Sequence, residues 1–80
     1  MPSSVFTEAY QSFVAVMVEA RKSAGLTQVE LSSRLGKPQS YVSKYERGER
    51  RIDVVEFCTI AEALGNDPKA LLAQHLEGRQ

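Results

Sequence analysis

The stretch QVELSSRLGKPQSYVSKYER, residues 28–47, decides the fold. Its apolar residues recur at spacings of three and four, as on a helix that buries one face, and they do not alternate as in a strand. Two such segments meet at Gly36, whose missing side chain permits a backbone angle that other residues oppose. The stretch therefore predicts two short helices joined by a tight turn.

Both predicted helices have recognisable beginnings. Thr27 and Glu30 match a capping box, in which the Thr hydroxyl accepts from the backbone at Glu30 and the Glu carboxylate reaches back. Pro38 suits the first turn of the next helix, because the N–H that proline lacks has no helical partner there. We predict that this next helix runs from about Pro38 to Arg47.

The rest of the chain predicts three more helices with similar end signals. The first runs from about Ser4 to Ser23, and its buried side consists of Ala9, Phe13, Met17 and Ala20. A fourth helix begins at Asp53 and a fifth at Asp67-Pro68. We therefore predict an all-α fold, a compact five-helix domain over residues 1–80, with its core at about 10–74 and a frayed tail at 77–80.

Length and composition exclude several classes of protein. A chain of 80 residues and 8.9 kDa forms one domain and lacks a deep cleft between lobes. One Cys, Cys58, and one His, His75, cannot form an internal disulfide or an ordinary zinc site, and no acid–base pair indicates catalysis. No apolar run reaches the ~20 residues of a membrane span, and the first residues lack the basic segment of a signal peptide. We predict a cytoplasmic, non-enzymatic domain without metal, cofactor or small-molecule ligand.

The charges are unevenly distributed along the chain, although their sum is zero. Residues 21–51 carry eight cations against three carboxylates, a net charge of +5, whereas residues 1–20 carry −2 and residues 52–80 carry −3. A molecule polarised in this way can steer a polyanion to one face. A central face that merely contacts solvent explains the same distribution, so charge alone leaves both interpretations open.

The second helix of the 28–47 unit is predicted to keep most of its surface free. Val42 and Tyr45 face the core, and the outward side chains are amides, hydroxyls and cations: Gln39, Ser40, Ser43, Lys44 and Arg47. Such groups pair with base edges and phosphates in the major groove, and two helices joined by a tight turn form a helix-turn-helix. An ordinary helical hairpin with a solvated polar face is the alternative. The basic segment coincides with this unit, which favours nucleic-acid binding.

Several short motifs occur in an order that resembles one known family. They are AGLTQVEL at 24–31, LG at 35–36, QSYVSKYERG at 39–48 and IAEALG at 60–65. Together they resemble the phage repressor and Cro type of helix-turn-helix regulator, also called xenobiotic-response-element type, over roughly residues 13–72. The resemblance implies a lambda-repressor-like fold and a sequence-specific binder of double-stranded DNA that acts as a homodimeric transcriptional repressor on a palindromic operator.

The resemblance also implies roles for individual residues. Those in base-reading positions are Gln39, Ser40, Tyr41, Ser43 and Lys44. The residues expected to contact the phosphate backbone are Gln28, Lys37, Arg47, Arg50 and Arg51. For the four cations, their place in the basic segment favours the same role. Arg21 and Glu46 fall where the family places a buried ion pair between the first and third helices. Ser32 stands where alanine is usual, and Pro38 stands where a Ser or Thr cap is common. For Tyr41, a position along the protein surface is equally compatible with the pattern.

More apolar residues lie on the first and fifth helices than a small core needs. We predict that a dimer interface contains Val14, Val18, Leu72, His75 and Leu76. A second side of the same core explains the surplus equally well. These faces could also bind another protein, as in an antitoxin-like or adaptor module. A two-fold dimer would place two recognition helices about 34 Å apart, in successive major grooves.

Overall fold

Capping side chains determine where the helices begin. In the computed structural model, which describes residues 7–78, Thr27 accepts from the N–H of Glu30 at 3.0 Å, and the Glu30 carboxylate accepts from the N–H of Thr27 at 2.8 Å. Asp53 and Glu56 make the same reciprocal pair. The five helices are α1 Glu8–Ser23, α2 Gln28–Arg34, α3 Tyr41–Glu46, α4 Val54–Ala63 and α5 Pro68–Glu77. No strand occurs within the described residues, and the predicted all-α fold of five helices is confirmed.

α1 begins later than the sequence predicted. Thr7 has an extended backbone with ψ of 168°, and its hydroxyl accepts from the N–H of Tyr10 at 3.2 Å, so it caps the helix. The predicted start at Ser4 lies outside the described residues, as do residues 79–80 of the predicted tail. Glu77 is the last residue of α5, and the frayed tail stays a prediction.

α3 is shorter than predicted. Residues 38–40 form a turn, in which the N–H of Tyr41 donates to the carbonyl of Pro38 at 2.9 Å. The N–H of Val42, which would close a first helical turn on that same carbonyl, donates instead to the hydroxyl of Ser32 in α2 at 3.2 Å. The predicted start at Pro38 is therefore wrong, because a hydrogen bond from a neighbouring helix replaces the first helical turn.

Glycines with left-handed backbones end α2 and α3. The φ angle is +68° at Gly36 and +78° at Gly48, a region that other residues rarely adopt. The N–H groups of Gly36 and Lys37 donate to carbonyls in the last turn of α2, each at 3.0 Å. The chain thereby leaves α2 and enters the segment before α3 within a few residues.

Every helix contributes large side chains to one core. The fully enclosed ones are Met17 of α1, Leu31 of α2, Val42 and Tyr45 of α3, Ile60 of α4 and Leu71 of α5. α1 contacts α5 and α3, α2 contacts α3, and α4 contacts α5. The prediction that Tyr45 and Val42 face the core is confirmed.

The buried face of α1 differs from the prediction. Ala9 is exposed, whereas Tyr10 and Val14 are buried. The hydroxyl of Tyr10 accepts from the N–H of Ile52 at 3.1 Å, which anchors this side of α1 to the segment before α4. Val14 is only 4% exposed in the single chain, so its predicted place in a dimer interface is wrong: its own chain already covers it.

Two kinds of feature are not found within residues 7–78. No helix there has both the length and the apolar character needed to cross a membrane. No group of His, Cys, Asp and Glu side chains in that part of the chain could hold a metal ion, and Cys58 is a half-buried free thiol.

Candidate nucleic-acid interface

α3 has one enclosed side and one accessible edge. Val42 and Tyr45 hold it against the core. The accessible edge, together with the turn before the helix, carries Gln39, Ser40, Ser43 and Lys44. Three of these are exposed; Ser43 is half-buried, and its hydroxyl donates to the carbonyl of Ser40 at 3.0 Å. An amide, hydroxyls and a cation therefore lie along one edge of a helix that packing supports from behind.

Tyr41 does not belong to that edge. It is 8% exposed, and its hydroxyl donates to the carboxylate of Glu56 at 3.2 Å. The Nζ of Lys37 lies 5.4 Å from the ring centroid of Tyr41, and the guanidinium of Arg50 lies 5.2 Å from it. Burial, and then the charge of Glu56, raises the pKa of the Tyr41 hydroxyl. The predicted base-reading role of Tyr41 is thus corrected: its side chain packs inward, because α4 offers it a carboxylate.

Ser32 caps α3 from the neighbouring helix. It is 0% exposed, and its Oγ accepts from the N–H of Val42 at 3.2 Å and donates to the carbonyl of Gln39 at 3.3 Å. Ser40, at the N-cap position itself, makes no side-chain hydrogen bond to the helix. The sequence interpretation treated Ser32 only as a small residue and missed this role. The available signal was a hydroxyl at a position where the resembled family has alanine.

A buried ion pair joins α1 to the end of α3. The Nε of Arg21 lies 2.8 Å from Oε2 of Glu46, and its Nη2 donates to Oε1 at 3.1 Å. The hydrogen bond that Arg21 donates to Glu46 raises the pKa of Arg21. The remaining Nη1 of Arg21 donates to the carbonyl of Leu26 at 2.7 Å. The predicted ion pair is therefore present, and it fixes the direction of α3.

Gln28, predicted to contact phosphate, lies at the first position of α2. Its Nε2 donates to Oε1 of Glu46 at 2.8 Å, so the buried ion pair also positions this amide. An amide nitrogen has two hydrogens, and the second is available to an acceptor such as a phosphate oxygen. The phosphate contact itself stays a prediction.

The other predicted phosphate-contacting cations lie just before and just after α3. Arg47 pairs with Glu49, with its Nε 2.9 Å from Oε2. Arg50 pairs with Glu56 and also donates to the carbonyl of Arg51 at 2.8 Å. The Arg51 guanidinium lies 4.5 Å from the ring centroid of Tyr10. These contacts hold the side chains of Arg47, Arg50 and Arg51 against neighbouring groups, and their contact with phosphate stays a prediction.

Apolar side chains remain accessible elsewhere on the molecule. Leu72 is 43% and Leu76 53% exposed on α5, whereas Val18 and His75 are half-buried. The His75 ring packs edge-on against Phe13 at 5.7 Å. Leu72 also lines an apolar groove of about 300 Å³ between α1, α4 and α5. The predicted interface residues other than Val14 thus retain accessible surface, and their contact with a second chain stays a prediction.

Known proteins resemble this chain in sequence and in fold. A model of the helix-turn-helix family matches residues 17–71, which include α2, α3 and α4. An XRE-family-like protein from Pseudomonas syringae pv. tomato is 47% identical, with a TM-score of 0.83 over 90% of this chain and 88% of that one. The restriction-modification controller protein of Aeromonas hydrophila is 34% identical, with a TM-score of 0.69 over 78% of this chain and 94% of that one.

A curated relative agrees with these matches. An HTH-type transcriptional regulator of Sinorhizobium fredii is 44% identical over 45 residues, which make up 56% of this chain. The match spans 58% of that relative's length.

Proposed function

Because the chain belongs to the XRE family of helix-turn-helix transcriptional regulators, we propose that it binds a palindromic DNA operator as a homodimer and represses transcription there. The family consists of DNA-binding regulators and not of enzymes. The observation that carries the proposal is the accessible polar edge at Gln39, Ser40 and Lys44, on a helix whose other side is packed against the core.

The side chains on this edge match the chemistry of base edges. The Gln39 amide both donates and accepts, as adenine N6 and N7 require, and the Lys44 ammonium donates to guanine O6 and N7. The hydroxyls of Ser40 and Ser43 pair with either kind of group. We therefore assign base reading to these four residues.

Phosphate contacts are proposed for the cations next to α3 and for the start of α2. They are Gln28, Lys37, Arg47, Arg50 and Arg51. The first N–H groups of α2 add further donors beside the Gln28 side chain. Each neutralised phosphate should contribute about −0.9 to the slope of log K against log salt concentration, so affinity should fall steeply with salt.

Homodimer formation is proposed from exposed apolar surface on α5. Leu72 and Leu76 lie one turn apart and both are exposed, and His75 of the same helix packs against Phe13 of α1. Val18 lines a separate groove on α1 that Glu46 of α3 also lines. One recognition helix reads few base pairs, and a two-fold pair reads two half-sites about 34 Å apart. A dimer that buries this surface would cover the exposed apolar side chains and would also supply the second recognition helix.

The decisive test is the sequence preference of a single variant. We expect Lys44→Ala to weaken binding to a duplex selected from a randomised library by about 1–3 kcal/mol, and to weaken binding to random duplex much less. Arg51→Ala should weaken both duplexes alike and flatten the salt dependence. Fluorescence anisotropy on the two duplexes measures both effects, and an equal loss for Lys44→Ala would remove it from the base-reading set.

A second function has a specific observation in its favour. Val54 and Val55 are each 75% exposed, and with Leu72 and Leu76 they leave much apolar surface uncovered. An antitoxin-like or adaptor module that binds another protein through such surface is the alternative. Binding of the wild-type chain to a selected duplex, but not to a scrambled one, at moderate salt would decide for the DNA-binding function.

A further inference from the structure

Arg47 and Glu49 form an ion pair at the end of α3. The Nε of Arg47 donates to Oε2 of Glu49 at 2.9 Å, and the two side chains are 57% and 53% exposed. The hydrogen bond from Arg47 lowers the pKa of the Glu49 carboxyl, so that carboxyl is ionised at neutral pH. The carboxylate of Glu49 is therefore paired with Arg47, a cation that we propose contacts phosphate.

The backbone holds this pair in place. Gly48, between the two residues, has φ of +78°, which turns the chain back on itself. The N–H of Glu49 donates to the carbonyl of Lys44 at 2.9 Å, so the position of Glu49 relative to α3 is set by a main-chain bond. Glu49 and Arg47 are thus placed together by the turn that ends the helix.

The neighbouring carboxylates have structural roles that Glu49 lacks. Glu46 is buried against Arg21, and Glu56 accepts from the backbone N–H at the start of α4. Glu49 is exposed, and within residues 7–78 its side chain hydrogen-bonds to Arg47, a residue that we propose contacts the DNA backbone. A negative charge at this point disfavours an approaching phosphate.

We propose that Glu49 lowers the affinity of this protein for all DNA sequences, because its carboxylate engages the Nε–H of Arg47 and neutralises a cation that would otherwise attract a phosphate. The inference rests on the proposed function, and in particular on Arg47 as a phosphate contact. Glu49 is then a residue that determines the strength of binding and not base preference. It limits non-specific binding because it neutralises one of the cations proposed to contact phosphate.

The test compares the wild type with Glu49→Gln, which keeps the size of the side chain and removes its charge. Binding is measured by fluorescence anisotropy on a selected duplex and on a scrambled duplex, over a series of KCl concentrations. We expect Glu49→Gln to bind both duplexes about two- to fivefold more tightly at low salt. The ratio of the two affinities should stay unchanged, and the salt slope should steepen by up to ~0.9, because one more cation is free to replace counterions.

Two further variants separate competition from general charge effects. Glu62→Gln removes one negative charge from an exposed position on α4 and should leave binding unchanged. In the Arg47→Gln background, Glu49→Gln should lose most of its effect, because the cation that Glu49 neutralises is absent.

The outcomes distinguish the inference from the proposed function. If the wild type binds no selected duplex, the proposed function is wrong and the inference fails with it. If the wild type binds but Glu49→Gln gains no affinity, or gains as much in the Arg47→Gln background, only the inference is overturned.

Discussion

At the scale of single residues, two buried hydroxyls have opposite surroundings. Both hydrogen-bonding functions of the Ser32 hydroxyl are used, by the N–H of Val42 and the carbonyl of Gln39. The hydroxyl of Tyr45 is also buried, but it has no hydrogen-bond partner within residues 7–78. A buried polar group is costly without a partner and roughly neutral with one, so we expect replacement of these two residues to change stability in opposite directions.

Replacement of Ser32 by alanine should destabilise the protein. The N–H of Val42 would remain buried without a partner, at a cost of about 1–3 kcal/mol, and α3 would lose its cap. Urea unfolding followed by circular dichroism measures the change. Ser33→Ala, at an exposed position of the same helix, is the control. Equal effects of the two substitutions would show that the Ser32 hydrogen bonds contribute nothing.

Replacement of Tyr45 by phenylalanine should stabilise the protein, and more so at high pH. Burial raises the pKa of the Tyr45 hydroxyl above its ordinary value of about 10. The unfolded chain therefore ionises first, and stability falls as pH rises above about 10, by up to ~1.4 kcal/mol per pH unit. Tyr45→Phe removes this loss. Urea unfolding of both proteins below and above pH ~10 measures the fall in stability. An equally steep fall in the free energy of unfolding of Tyr45→Phe would contradict this prediction.

At the scale of elements, α3 depends on its neighbours for its existence. A helix of six residues is too short to be stable alone in water. Ser32 caps its beginning from α2, Tyr41 reaches a carboxylate of α4, and Glu46 pairs with Arg21 of α1. Because three different helices hold α3, the direction of its accessible edge is set by the whole fold.

Loss of one partner of the α1–α3 ion pair should be more harmful than loss of both. Glu46→Leu leaves the charge of Arg21 buried and unpaired, and we expect a cost of about 3–5 kcal/mol. The double variant Arg21→Met with Glu46→Leu should recover part of this stability. Thermal unfolding of the wild type, the single variant and the double variant measures the difference. A double variant less stable than Glu46→Leu would contradict the expectation.

At the scale of the whole molecule, the basic segment and the exposed leucines belong to different helices. Eight of the ten cations lie within residues 21–51, which include α2 and α3, whereas Leu72 and Leu76 are exposed on α5. Exposed valines occur on both α2 and α4. A dimer through the α5 leucines would use residues outside the basic segment.

A charge placed in the proposed interface should prevent dimer formation. We expect Leu76→Glu to shift the protein from dimer to monomer, because burial of an unpaired carboxylate between chains is strongly unfavourable. Sedimentation equilibrium at several protein concentrations measures the association constant. Val29→Glu, at a 49% exposed valine on α2, is the matched control. A wild type that is monomeric at all concentrations, or equal effects of both substitutions, would contradict the α5 interface.

Local sequence signals determined the five helices and most of their ends. The reciprocal caps at Thr27 with Glu30 and at Asp53 with Glu56 depend on side chains three residues apart, and Gly36 ends its helix through its own backbone. Such contacts form within one helical turn, so the order of residues is sufficient to predict them. The accessible edge of α3 was predictable for the same reason, since polar residues recur at helical spacing.

Tertiary structure alone decided where α3 begins, which way Tyr41 faces and whether Val14 is covered. The beginning of α3 depends on Ser32 in another helix, and the orientation of Tyr41 depends on Glu56, 15 residues later. Val14 is enclosed by the packing of the whole fold and not by its neighbours in sequence. Each of these outcomes is a competition between a local preference and a hydrogen bond or apolar contact from a distant part of the chain. The local preference and the distant contact have similar energies, so the outcome is determined only when the chain is packed.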